Sequence, residues 1–295
     1  MMEAQAAMLA DGRRLHLNHG PIDLIVEAFG MESERQAAYT QATQRFATVL
    51  SELVEELPAL REAASDVPRA FRGSTARRME TAANALAGHD FITPMAAVAG
   101  SVADEILAAL TTGRRLEKAY VNNGGDIALF LAERQSLTLA VAGTGNGFAD
   151  RATIGTDDAV RGVATSGWRG RSFSLGMADA VTVLARSAAQ ADAAATLIAN
   201  AVDLPGHAAI RRVPARDLAP DSDLGDRLVT QGVGPLSPHD IAAALECGLR
   251  RAERLRRSCL IEAAALFLAG ESRICGSIAP AEPSTKTPGR KPVHA

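Results

Sequence analysis

The stretch AYVNNGGDIALF, residues 119–130, constrains this chain more than any other, because two apolar β-type runs meet there across Asn122, Asn123, Gly124, Gly125 and Asp126. Consecutive glycines remove both Cβ atoms and admit positive φ, so the backbone can reverse within two residues. A tight hairpin is one reading, and taken alone the commoner use of NG and GD dipeptides. A ligand-facing turn is the other: bare backbone N–H groups meet a small molecule, flanked by amide and carboxylate side chains. Spacing by itself leaves both open.

Other β-type runs cover residues 14–17 and 22–29, joined by Asn18, His19, Gly20 and Pro21, and recur at 137–141, 162–166 and 180–185. Apolar residues at helical spacing predict helices over 32–57, over STARRMETAANALAG with Ser74 or Thr75 at its N-cap, over 95–110 and over 188–202. Ser237, Pro238 and Asp240 open a last helix as N-cap, N1 proline and acidic N3, expected to run to about Leu268 with Gly270 past its end. Hairpin-type strands interspersed with helices predict an α+β fold of mostly antiparallel sheets flanked by helices. Residues 1–276 read as a single domain, and 277–295, rich in Pro, Ser and Lys without apolar period, as a disordered tail.

Composition narrows the partners. Hydrophobic residues make up 47% of the chain but aromatics only 4%, so the core must be built from Ala, Val, Leu and Ile. With 31 basic and 34 acidic residues spread along the chain, neither nucleic acid nor an anionic membrane is indicated as partner. Cys247, Cys259 and Cys275 are odd in number and lack CxxC spacing, which excludes a disulfide framework and a thiolate zinc site. The first residues break any signal-type apolar run, and no segment reaches the roughly 18 apolar residues of a membrane span, so a cytoplasmic location is expected.

Two further stretches carry chemistry. In QADAAAT, Asp192 and Thr196 stand four apart and share a helix face, where a carboxylate and a hydroxyl form a pair of hard oxygen ligands for a cation such as magnesium. A helix-start aspartate and a threonine bonded to its own helix explain the pair equally. In ATSGWRGRSF, Thr165, Ser166 and Gly167 precede Trp168, Arg169 and Arg171, groups suited to holding a phosphate while an indole covers a ring, or to an ordinary turn between strands. GTGNG at 143–147 is followed by no helical pattern and fails as a dinucleotide fingerprint. Arg250, Arg254 and Arg257 read as a solvated helix stripe, and the histidines lack ligand spacing.

The order of these motifs says more than any one of them. AAVAGSVAD, then VNNGGDI, then TSG, then AVTVLARSAAQADAAAT resembles, over residues 75–202, the ApbE superfamily of FAD:protein FMN transferases. The resemblance implies an ApbE-like fold related to the tunnelling fold. It also implies a cleft for a flavin nucleotide or other fused-ring ligand at Asn123, Gly124, Gly125, Asp126, Thr165, Ser166 and Gly167. Magnesium would be held by Asp192 and Thr196 with a backbone carbonyl near Val98. FAD would then be the cofactor, and FMN would pass to a threonine of an acceptor protein. Two departures bear on that activity: Ala99 stands where the family has a lysine, and FSLGMAD, with Leu175, replaces a histidine-bearing segment. A non-catalytic flavin- or pterin-binding protein of a cofactor pathway is the alternative expectation.

Overall fold

The computed structural model describes residues 3–140 and 151–277; the 143–147 GTGNG stretch and the tail beyond 277 lie outside the described residues. In chain order the elements are strands β1 (Gln5–Met8), β2 (Leu15–His19) and β3 (Ile22–Gly30), then helices α1 (Glu32–Glu55), α2 (Leu57–Leu60), α3 (Ser74–Asn84) and α4 (Val98–Thr111). Strands β4 (Leu116–Asn123), β5 (Asp126–Leu131), β6 (Ser136–Ala140), β7 (Arg151–Gly155), β8 (Gly162–Ser166) and β9 (Ala180–Ala185) precede helix α5 (Ala188–Ala201). The chain continues with β10 (Ile210–Pro214), α6 (Ala215–Leu218), β11 (Leu228–Val233), α7 (Pro238–Arg257), β12 (Ala263–Leu268) and β13 (Glu271–Cys275).

Among the described residues nine strands form one sheet in the order β1-β2-β3-β4-β5-β8-β9-β12-β13, with every neighbour antiparallel. The expected α+β arrangement is therefore present. It also contains a repeat that no sequence period reveals. A hairpin, two helices and a second hairpin (β2, β3, α1, α4, β4, β5) are followed by the same succession (β8, β9, α5, α7, β12, β13). The two halves meet along a short seam, where β5 and β8 pair only at Ile127↔Val163 and Ala128↔Gly162.

Helices α1, α4, α5 and α7 lie side by side on one face, each packed on the next. Alternation along the strands sends Ala119, Val121 and Ala128 to that helix face. Leu129, Leu131, Val163 and Leu184 point to the other, under Leu137 and Ile154 of the β6–β7 hairpin. Pro94–Thr111 is long and apolar enough to cross a membrane, yet half of it is buried inside the fold, with α4 packed between α1 and α5.

Alanine dominates where the two halves join. Ala188, Ala189, Ala191, Ala193, Ala194, Ala195 and Ala199 of α5 are all buried, so small side chains bring this helix against its neighbours on several sides. At the crossing with α4, a Cβ on Gly100 would collide with the Ala188 carbonyl. Polar groups lock the same crossing. The Asp104 carboxylate accepts from the N–H groups of Ala188 (3.1 Å) and Ala189 (2.9 Å), and the Ser187 hydroxyl accepts from Gln190 N–H (3.2 Å). Together they cap α5 and tie it to α4.

The C-terminal expectation is corrected. Ser237 and Asp240 do form a capping box, but α7 stops at Arg257, and Cys259 at φ 56° turns the chain away. Residues 263–268 form a strand between β9 and β13, not the end of a helix. An Ala- and Leu-rich run has no period with which to separate a buried helix from a strand covered on both faces. Ala269 (φ 49°) and Gly270 (φ 85°) are the left-handed pair of a two-residue hairpin loop, so Gly270 closes a turn instead of ending a helix. The N-cap of α3 also differs: Gly73 occupies it, and the Glu56 carboxylate accepts from the N–H groups of Arg72 (2.7 Å) and Gly73 (2.9 Å).

If the α4–α5 crossing holds the halves together, Gly100→Ala forces backbone apart and costs about 1 to 3 kcal/mol of unfolding free energy. Urea titration checks this, and an unchanged midpoint contradicts the close packing. Ser237→Ala, which removes an exposed cap remote from that crossing, costs about 1 kcal/mol in the same assay.

Candidate functional site

Turn and cleft turn out to be one structure. Asn123 pairs with Asp126 across a two-residue loop in which Gly124 (φ 64°) and Gly125 (φ 117°) are both left-handed, and the Asn122 carboxamide oxygen accepts from Gly125 N–H at 2.8 Å. This hairpin tip forms one wall of a cleft of about 350 Å³, contributing Asn123, Gly124 and Asp126. The start of α4 adds Met95, Val98 and Ala99; the end of β8 adds Thr165, Ser166 and Gly167. The following loop supplies Arg169, Gly170, Arg171 and Ser172, and α5 supplies Asp192. The size is that of a small-molecule site, but the lining is mostly polar and charged, which suits a polar ligand.

The cleft opens where the seam of the sheet ends. Beyond Ile127↔Val163 the backbone ladder between β5 and β8 stops, and the Asp126 carboxylate accepts from Thr165 N–H (3.2 Å) instead. Across from it, the Asp192 carboxylate accepts from Gly100 N–H at 3.0 Å, at the start of α4. The Asn123 carboxamide donates to the Ala99 carbonyl (3.0 Å), fixing hairpin to helix. Each polar wall is thus held by another element's backbone, and the geometry is set before any ligand arrives.

Two half-buried carboxylates in one cleft repel. Burial pushes the Asp126 carboxyl up to about 7, against the opposing pull of Thr165 N–H and the Arg171 guanidinium. Burial also holds Asp192 well above the usual carboxylate range, and the charge of Asp126 raises it further despite the N–H groups of Gly100 and Ala99. Such a pair is relieved by a proton or by a cation with hard oxygen preference. The donor set therefore fits magnesium through Asp126 and Asp192, although no cluster of three His, Cys, Asp or Glu side chains occurs among the described residues.

Of the residues singled out from sequence, Asn123, Gly124, Asp126, Thr165, Ser166, Gly167 and Asp192 line this one cleft. Gly125 does not line it and serves the turn. Thr196 lies one helical turn beyond Asp192 on the same face of α5, half-buried and outside the lining set. The second carboxylate facing Asp192 is therefore Asp126, a pairing that residues 66 apart in sequence cannot announce. Trp168 also departs from expectation: its indole donates to Asp179 (3.3 Å) and carries the Arg169 guanidinium 4.6 Å above its ring, so it stays off the cleft wall. The histidines do have carboxylate neighbours, His16 with Asp23 at 3.1 Å and His207 with Asp240 at 3.5 Å, though none is among the residues of the cleft.

The electrostatics carry a sign. Both carboxyls titrate higher in the folded chain than in an unfolded one, so ionising them costs stability as pH rises from about 4 through 7. Asp126→Asn is expected to raise the Tm of the ligand-free chain more at about pH 8 than at pH 5, since only the former ionises the wild-type side chain. Magnesium should raise the wild-type Tm more at the higher pH, and this increment should vanish in Asp192→Asn. Thermal melts read both effects, and a lower Tm for Asp126→Asn at pH 8 overturns the repulsion account.

Comparison with known proteins adds lineage to this geometry. The chain is 36% identical over 155 residues to a UPF0280 protein of Methanococcoides burtonii, a match covering 50% of this chain and 57% of that one. It is 39% identical over 116 residues to a UPF0280 protein of Methanothermobacter thermautotrophicus (39% and 44% covered). With a UPF0280 protein of Methanopyrus kandleri it shares 36% identity over 182 residues (60% and 69% covered). It spans about half the length of the first two of these relatives. The apo crystal structure of Pseudomonas stutzeri flavinyl transferase ApbE superposes with a TM-score of 0.39 at 13% identity, covering 93% of this chain and 95% of that one. A family model described as AbpE bacteria matches residues 6–274, nearly the whole described chain, and in agreement with the order of its motifs the chain belongs to that family.

Proposed function

We propose that this cleft binds a flavin nucleotide together with magnesium, and that the chain is a transferase using FAD to deliver FMN to an acceptor protein. The observation that carries the reading is the pair Asp126 and Asp192, two half-buried carboxylates that line one cleft and are raised by their surroundings, beside a hairpin tip without Cβ atoms. In this reading residues 1–276 act as one domain, Asp192 and Asp126 hold the metal, and Thr196 joins them from the next turn of α5.

The chain's own groups have defined tasks. Gly100 N–H orients the Asp192 carboxylate, and Thr165 N–H orients that of Asp126, so neither has to be ordered when ligand enters. Gly124 lets the ligand approach the hairpin backbone, and Ser166 supplies a hydroxyl within the same cleft. Magnesium, when bound, would offset pyrophosphate charge and polarise the bond that breaks.

A specific observation favours a second reading, a flavin- or pterin-binding protein without transfer chemistry. Ala99 lines the cleft where the resemblance calls for a lysine, and Leu175 replaces the histidine-bearing segment while its N–H is engaged by Asn200 at 2.9 Å. Incubating the protein with FAD, magnesium and a threonine-bearing acceptor separates the two. A transferase releases AMP and leaves covalent FMN on the acceptor, and Asp192→Asn lowers that rate by a hundredfold or more on the order of lost metal-assisted catalysis. Retention of intact FAD without AMP release supports the binder. Absence of FAD binding, with or without magnesium, sinks both.

A further inference from the structure

We infer that Arg171, seated against Gly124 at the rim of the cleft, is the anion receptor of this site and selects ligands that carry a phosphoryl group. The inference deepens the function proposed above and rests on it for the identity of the ligand, but the receptor has its own geometric basis.

Two arginines reach the cleft from the same loop, and the structure gives them different roles. Arg169 is committed: its Nε donates to Asp179 at 2.7 Å and its guanidinium stacks on Trp168. Asp179 in turn accepts from Trp168 Nε1 (3.3 Å) and Ala269 N–H (2.7 Å), so that arginine belongs to a structural cluster joining the loop to the β12–β13 turn. Arg171 is exposed and makes no ion pair among the described residues. One terminal nitrogen of its guanidinium occupies the place a Cβ on residue 124 would take, so the group reaches the hairpin tip end-on. Absence of a side chain at Gly124 thus makes room for a cation as well as for a turn.

Charge balance gives that cation a use. With no metal, the Arg171 charge acts on the Asp126 carboxylate, which leaves less of it to attract an anion. A divalent cation neutralises both carboxylates and leaves the guanidinium with its full charge and its planar array of donors, which suits phosphate oxygens. Metal and phosphate should therefore bind with positive coupling, each raising the affinity of the other by one factor.

Calorimetry with inorganic pyrophosphate, with and without magnesium chloride, and with FMN against riboflavin, tests this on the full chain, Arg171→Gln and Gly124→Ala. The second variant keeps the charge but displaces the guanidinium. Expected are pyrophosphate and FMN affinities reduced roughly tenfold to a hundredfold in Arg171→Gln with riboflavin affinity unchanged in that variant, a weaker loss of pyrophosphate affinity in Gly124→Ala, and magnesium enhancement of pyrophosphate binding only in the unchanged chain. Should the unchanged chain bind neither flavin while pyrophosphate binding still depends on Arg171, the receptor stands and the flavin reading falls. Equal pyrophosphate and FMN affinities in all three proteins overturn the receptor and leave the flavin reading intact.

Discussion

The crossing of α4 and α5 is the contact on which the rest of the molecule depends. Gly100 lies on the Ala188 backbone with no side chain between, and two aspartates work the same joint in opposite directions. Asp104 of α4 caps α5, and Asp192 of α5 accepts from the first turn of α4. Because helix ends leave N–H groups without partners inside the helix, each carboxylate both satisfies such groups and fixes the relative position of the two helices. The halves of the sheet share only a short ladder, so this helix joint does much of the work of holding them in register.

The cleft is a product of that same joint. Where the β5–β8 ladder ends, side chains take over from backbone, and Asp126 bonds to Thr165 N–H in place of a strand carbonyl. Asp192 arrives opposite because the Gly100 contact allows α5 to approach. The two carboxylates are thereby held out of water at an energetic cost, desolvation raising both and the charge of Asp126 raising Asp192 further. Strain of this kind persists where packing over-determines it, and it concentrates at sites that bind ligands.

Much of the fold was legible in local patterning. Residues 32–57 carried a clear period, the alanines of 188–202 marked a helix, the capping box at Ser237 and Asp240 marked the start of α7, and the motif order pointed to the family. Periodicity failed where a segment is apolar throughout: residues 263–268 read as helix and form a strand covered on both faces. The β10–β11 hairpin escaped notice for the opposite reason, since its strands are only partly buried and alternate weakly. Within the cleft, the hairpin at Gly124 and Gly125 and the position of Asp192 on its helix were visible. For Trp168 sequence leaves site and turn equally open, because its partner Asp179 stands beyond a loop whose path sequence does not specify.

By itself, the sequence determined most of the elements, the turn chemistry of Asn122 to Asp126, the alanine-rich interior and which polar residues are available to a site. These are local properties, set by side-chain periodicity and by what glycine, proline and capping residues allow of the backbone. Tertiary structure decided which of those residues meet. It paired Asp126 with Asp192, withdrew Trp168 and Arg169 into a structural cluster, and left Arg171 on the bare face of Gly124. Such meetings depend on where two helices touch and where a strand ladder stops, and both are long-range consequences of packing that no short stretch of chain encodes.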